Sequence, residues 1–406
     1  MIELNEFDRA YLHLVLEINK HIDGYIDAYL GPEDLGRQVN DKPQKSPALL
    51  LEDVTQLQSS VPAAHAERQI YLSALLRAVQ TTITMIGGED IPYMEEVQRI
   101  YDIMPQRVDE ALFLRAHKDL DTLLPGSGRL SNRLEKWRNR YSVPQDKLFL
   151  LLELAREETQ RRTAALVDLP PGEAVEVALV KDKPWSAYNW FKGQSRSLVE
   201  FNTDIPVFAL TLASLFAHEG YPGHHTEGVL KEEKFWLERG YGESAAALLH
   251  SPAAVIAEGI ATTAVEIIFP DDGHIDWTLD VLLPAGAIEP QESAEQLKQL
   301  QQALLQLRWV SGNAAMSYHS GQLTQEQTIE YLQEYGLATR DRAEKSLQFL
   351  YHPLYRSYVF TYTEGYNLIE QAATDQDKRE LFLSCLTEQK LPSQLAALAA
   401  QSPGKG

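Results

Sequence analysis

Eight residues, His218-Glu219-Gly220-Tyr221-Pro222-Gly223-His224-His225, place three of the chain's eleven histidines beside a carboxylate. Imidazole nitrogens and carboxylate oxygens together make the donor set of a divalent cation such as zinc. The run before them, Val207 to Ala217, is nearly all apolar, which predicts a buried helix ending at His218-Glu219. An ionisable pair at the end of a core helix is costly unless something compensates it, and a cation is one such compensation. In the zinc motif His-Glu-x-x-His, the imidazoles stand four residues apart on one helix face. Here His218 and His224 are six apart, which on a regular helix leaves them about 120° apart and ~9 Å along the axis. Pro222 has no N–H, and its ring clashes with the carbonyl of His218, while Gly220 and Gly223 free the backbone from helical geometry. The sequence therefore predicts a bulged or broken turn that returns His224 to the ion held by His218. His225 is an alternative ligand that spacing alone does not exclude, but the expectation is that it supports the site from behind the ligands or faces solvent.

A catalytic zinc takes three protein ligands and keeps one position open. The third candidate is Glu258, which recurs with Thr262 and Glu266 every four residues inside an apolar stretch, a polar stripe within the core. Glu266 is a candidate to hold a histidine ring from behind, as ligand histidines usually require. Glu219, next to the metal without binding it, would take a proton from the attacking water and deliver it to the leaving group. The competing readings are a helix end with satisfied core histidines, Glu258 in a plain buried ion pair, or a closed four-ligand strut with His225 as fourth ligand.

His-Glu-x-x-Pro-Gly-His-His followed by Glu-Gly-x-Ala resembles the DUF885 family, bacterial proteins related to the zincin-type (gluzincin) metallopeptidases. The matching segments are His218 to Glu227, Glu258 to Glu266, and Tyr362-Thr363-Glu364-Gly365. The likeness extends to Asp27-Ala28-Tyr29-Leu30-Gly31-Pro32, Lys183-Pro184-Trp185 and Asn202-Thr203-Asp204. It implies a largely helical, zincin-like fold, one zinc ion and peptide hydrolysis. Two departures stand out. The family's tryptophan after Glu-Gly is Ile260 here, and its Tyr-x-Glu ending is Thr263-Ala264-Val265 with Glu266 one position later. A developing oxyanion needs a donor; Tyr362 is the first candidate and Tyr358 the second, against a core-packing role for both. Arg356 is a candidate to grip a substrate carboxylate bidentately, against pairing with a neighbouring acid. Leu198 to Phe201, ending at Asn202, is a candidate edge for an extended peptide. His21, Asp27 and Tyr29 could line the same cavity, with capping and packing as the alternative.

Helices must position these groups. Apolar residues at three- and four-residue steps predict helices over 3–30, 65–87, 92–121 and 145–168. Gly31-Pro32, Gly87-Gly88 and Pro125-Gly126 break the pattern, and Pro170-Pro171-Gly172 is the sharpest punctuation. Short strand-like runs follow, so a small β-sheet of two or three strands is expected near 174–202. From about 206 the pattern is helical almost to the end, with a capping box at Thr324 and Gln327 and a loose tail, Ser402 to Gly406. The expected organisation is an N-terminal helical half, 1–170, and a metal-binding catalytic half, 171–402, packed as one unit.

Composition sets the outer bounds. Apolar residues at 44% and charged residues at 23% fit a globular chain of 406 residues. The net charge of −21 repels phosphate backbones and anionic lipid, so no nucleic-acid or membrane partner is expected. The single cysteine, Cys385, lies in an apolar run and reads as a buried thiol. Met1-Ile2-Glu3-Leu4-Asn5-Glu6 has no basic or apolar leader character, and no apolar stretch reaches the ~20 residues of a spanning helix. On that basis a cytoplasmic protein is expected. Gly31 to Arg37 lacks the Lys-Ser/Thr of a phosphate loop, and neither Gly-x-Ser-x-Gly nor Glu-x-x-His occurs. The sequence thus predicts a zinc peptidase acting on short peptides; the alternative is a non-catalytic relative that keeps the metal for structure or binds peptides.

Overall fold

The computed structural model describes residues 4–183, 185–373 and 377–401. Pro184, the tail Ser402 to Gly406 and the opening Met1-Ile2-Glu3 lie outside the described residues. The fold is mainly α. Five short strands accompany the helices among the described residues: β1 (Ile26–Tyr29), β2 (Ala174–Val180), β3 (Ala187–Gly193), β4 (Arg196–Asn202) and β5 (Ala246–Leu248).

The first helix runs from Glu6 to Asn19, capped by Asn5, whose side chain accepts the Asp8 N–H. It buries Phe7, Tyr11, Leu14, Val15 and Ile18, the residues whose spacing predicts it. The expected continuation to residue 30 does not occur. Gly24 turns the chain at φ +79°, the Asn19 side chain accepts the Ile26 N–H, and β1 pairs antiparallel with β5. Ile22, Ile26 and Tyr29 are half-buried and Tyr25 fully buried in strand and turn, with a spacing that suits a helix as well; a pairing partner some 220 residues away decides. The expected helix over 92–121 likewise divides, into Tyr93–Tyr101 and Glu110–Leu123, where Asp102 adopts a left-handed φ of 58°.

The expected small sheet is present with three strands in the order β2-β4-β3. β4 is central, parallel to β2 and antiparallel to β3. The β3–β4 turn places Gln194 and Ser195 at positive φ, and both N–H groups donate to the carboxylate of Glu232. Hydrophobic packing runs across Pro170-Pro171-Gly172: Leu148, Leu151 and Leu152 share a core with Val199, Leu212 and Phe216. The first helix shares another with Trp236 and Leu248. Thr324 and Gln327 form the expected capping box. Cys385 is buried, and burial pushes its thiol up to about 11.

Two helices in particular set up the site. Ala209–Glu219 buries Leu212, Ala213 and Phe216 and carries His218-Glu219 at its end. Pro252–Ile268 packs closely along Val359–Ala372. They touch at Gly259 and Gly365: a Cβ on Gly365 would lie 2.4 Å from the Val255 carbonyl oxygen, and one on Gly259 would lie 2.7 Å from that of Gly365. This contact explains why glycine follows Glu258 and why Tyr362 is followed three residues later by another.

Candidate metal centre

The turn between His218 and His224 is broken as expected. The helix stops at Glu219, the Gly223 N–H reaches back to the Ala217 carbonyl at 2.9 Å, and a new helix begins at His224. The Tyr221–Pro222 peptide bond within it is cis. Gly223 sits so close to the preceding helix that a Cβ would lie 2.0 Å from the His218 carbonyl oxygen. The two rings end up edge to face, their centroids 4.8 Å apart.

Glu258 completes the group. Its Oε2 lies 3.5 Å from His218 Nε2, and its Oε1 lies 3.8 Å from His224 Nε2. One ligand atom from each of the three residues falls within 4.8 Å of the others. The backbone of Ala261 lies against the His218 ring and favours its protonated form, against the stronger effect of burial. Tyr358 donates to Glu258 Oε1 at 2.7 Å, whereas Oε2 is buried without a hydrogen-bond partner among the described residues. Burial pushes His218 well below its usual range, helped by the neighbouring His224 ring, and burial pushes His224 down to about 4. Two neutral imidazoles and an orphaned buried carboxylate oxygen, all converging, are the donor set a divalent cation needs.

Glu219 lies beside this group. Strand β3 grips it: the Asn189 side-chain amide donates to the Glu219 backbone carbonyl, and the Asn189 backbone donates to its carboxylate. Burial, then the negative charge of Asp27, pushes Glu219 up to about 8. Glu258 is also pushed up to about 8, by burial and by the charges of Glu219, Glu227 and Asp27, against the lowering bond from Tyr358. Tyr362 stands 5.6 Å from Tyr358, ring to ring, and is 38% exposed. All these residues open onto a cavity of about 1240 Å³. The stripe Glu258, Thr262 and Glu266 runs along its wall, which accounts for a polar row on an apolar helix.

Four expected site residues are engaged elsewhere. His225 is fully buried on the far side of its helix, with Nε2 on Glu173 and Nδ1 on Ser197, both at 2.9 Å, so neither nitrogen is left for an ion. Glu173 also accepts from Tyr221 at 2.6 Å and from Gln160 at 2.8 Å, so this cluster clamps the turn from behind. Burial works to raise the Glu173 carboxyl, and these hydrogen bonds outweigh it and hold it below the usual range. Glu266 meets Lys378 and Tyr366 and holds no histidine ring, because it lies two helical turns beyond Glu258. Arg356 forms a two-bond fork with the buried Glu96. Asn202 is buried, donating to the Lys183 carbonyl and accepting from the Asp204 N–H. The proposed peptide edge at Leu198 to Phe201 is the central strand β4, paired on both sides, so it has no free edge.

Of the three further candidates, Asp27 lines the cavity and accepts from Tyr188. His21 meets the Lys45 carbonyl and Tyr29 donates to that of Pro32. Asn189 and Glu173 are not visible in the motif spacing, because their roles depend on a strand lying across the helix end.

No family model matches the chain, and no curated protein matches it. The fold belongs to a class of mainly helical proteins with solved members. A "putative lipoprotein" from Colwellia psychrerythraea superposes with a TM-score of 0.55 at 14% identity, over 91% of this chain and 68% of that one. A "putative lipoprotein of unknown function" from Shewanella oneidensis reaches a TM-score of 0.47 at 16% identity, over 97% of this chain and 72% of that one. At this identity the first likeness establishes shared fold, and the second adds no argument. The expected cytoplasmic placement is contradicted: the Colwellia neighbour is described as a putative lipoprotein. Lipid anchoring needs no spanning segment, so the lack of one never spoke for the cytoplasm. Among the described residues no single helix is long and apolar enough to cross a membrane.

Proposed function

We propose that the chain is a zinc-dependent peptidase in which His218, His224 and Glu258 hold the ion. The observation that carries this reading is the buried Glu258 carboxylate, its Oε2 unpartnered and facing His218 and its Oε1 near His224, two imidazoles that burial keeps neutral. A divalent cation held by His218, His224 and Glu258 would supply Lewis-acid chemistry and lower the pKa of water. Glu219 accepts the proton of the attacking water and passes it to the leaving amine. Tyr362 donates to the oxyanion as it develops. Tyr358 orients Glu258 and does not meet substrate, because its hydroxyl is spent on Oε1. Strand β3, an edge of its sheet along the cavity, offers backbone groups to an extended peptide.

The resemblance in the His218 to Glu227 and Glu258 to Glu266 segments supports the same chemistry. A closed structural site would need a fourth protein ligand, and His225 has both ring nitrogens engaged. The test is metal content and hydrolysis of a mixed peptide library by the wild type and Glu219→Gln. The expected result is unchanged zinc in both and cleavage reduced about a hundredfold or more in the variant. Zinc without cleavage by the wild type would reject the catalytic reading and leave a metal strut.

A further inference from the structure

Among the described residues three cations line the cavity: Lys231, Arg308 and Lys390. Lys231 is paired with Glu227 at 2.5 Å and Lys390 with Glu388 at 2.8 Å. Arg308 has no carboxylate within ion-pair distance among the described residues. Its guanidinium carbon lies 3.9 Å from the centroid of the Tyr366 ring, and its Nε is buried with no hydrogen-bond partner among them. Glu266 and Asp272 line the same end, but Glu266 is already held by Lys378 at 2.6 Å and by the Tyr366 hydroxyl at 3.2 Å. In a chain with 58 acidic and 37 basic residues, an arginine paired with no acid among the described residues while facing a cavity is a site for an acid that arrives with a ligand.

We infer that Arg308, laid on Tyr366, is a carboxylate-binding subsite that receives the C-terminal carboxylate of a peptide substrate. This rests on the peptidase reading and adds a substrate class to it. Its place along the cavity follows from two helices. Tyr366 is one turn beyond Tyr362, and its partner Glu266 is two turns, about 12 Å, beyond Glu258. An extended peptide advances ~3.3 Å per residue, so a chain end held at Arg308 puts a bond about three or four residues upstream beside His218 and His224. The enzyme then removes short C-terminal fragments and discriminates against chains with a blocked end. The same subsite could take an acidic side chain, and the experiment separates the two.

Calorimetry on Glu219→Gln would use three N-acetylated, alanine-rich hexapeptides: a free acid, its C-terminal amide, and an amide ending in glutamate. The free acid is expected to bind about tenfold to a hundredfold more tightly than the plain amide. Arg308→Gln in the same background should remove that difference and leave the affinity for the amide alone. Recovery of tight binding by the glutamate amide assigns the subsite to an acidic side chain and overturns the C-terminal assignment. Equal binding of acid and amide overturns the inference altogether, without needing an Arg308 variant that folds. Product masses from the wild type keep the two readings apart. Cleavage without preference for the free acid rejects the subsite, and preference in binding without cleavage rejects the peptidase.

Discussion

With Tyr358 donating to one oxygen of Glu258 and the other facing His218, this carboxylate has no second source of hydrogen bonds among the described residues. Tyr358→Phe leaves both oxygens orphaned in a buried place. It should lower metal affinity about tenfold to a hundredfold, read by competition with a chromophoric chelator. Tyr362→Phe leaves the ligands untouched and should reduce kcat about a hundredfold with KM little changed, since its hydroxyl is needed only as charge builds. His218, His224 and Glu258 could be read from the sequence because few residue types bind a divalent cation and the chain concentrates them between apolar runs. Arg356, Asn202, His225 and Glu266 could not be assigned. Each has a partner set by tertiary structure, respectively Glu96, the Lys183 carbonyl, Glu173 and Lys378, and nothing in local spacing announces such partners. Arg356 and Arg308 illustrate the point: both are arginines near aromatic residues, and only burial of a facing acid distinguishes them.

Among the elements, the helix pair joined at Gly259 and Gly365 fixes how far Tyr358 and Tyr362 stand from Glu258. A methyl group on Gly365 would meet backbone atoms, which cannot swing aside. Gly365→Ala should cost about 2–4 kcal/mol and shift Tm downward, and the loss in hydrolysis should exceed that of an equally destabilised variant far from the cavity. The helices Ala66–Ile86 and Leu148–Ala164 were legible from their three- and four-residue periodicity, as was a small sheet of two or three strands from its bounded apolar runs, whereas Glu33–Asn40, Pro47–Ser59 and Leu130–Arg140 were not. The segment 20–30 was not, because strand β1 takes its register from β5, and a half-buried strand of four residues is too short for alternation to declare itself. The broken turn was legible for a different reason: Gly-x-Pro-Gly after a helix leaves few backbone routes.

For the molecule as a whole, the buried acids and imidazoles make stability depend on pH and on the ion together. Glu219 and Glu258, raised from 4.5 to about 8, hold protons in the metal-free fold that the unfolded chain has released, so their contribution is lost as pH rises towards 8. His218 and His224, lowered from 6.5, act oppositely, and their contribution is lost as pH falls below 6.5. From about pH 6.5 to 8 only the carboxyl contribution changes, so the chelated protein should melt lower as pH rises. Saturating zinc, which needs Glu258 ionised, should reverse that slope; parallel slopes in thermal melts would disprove the linkage. The pairing of β1 with β5 has a consequence for how this chain is made. A ribosome must emit some 220 residues after Tyr29 before that strand finds its neighbour, and Glu258 emerges later still, after both imidazoles. A nascent chain therefore exposes two histidines without their carboxylate, and on the proposed metal reading loading would wait until synthesis has passed Glu258.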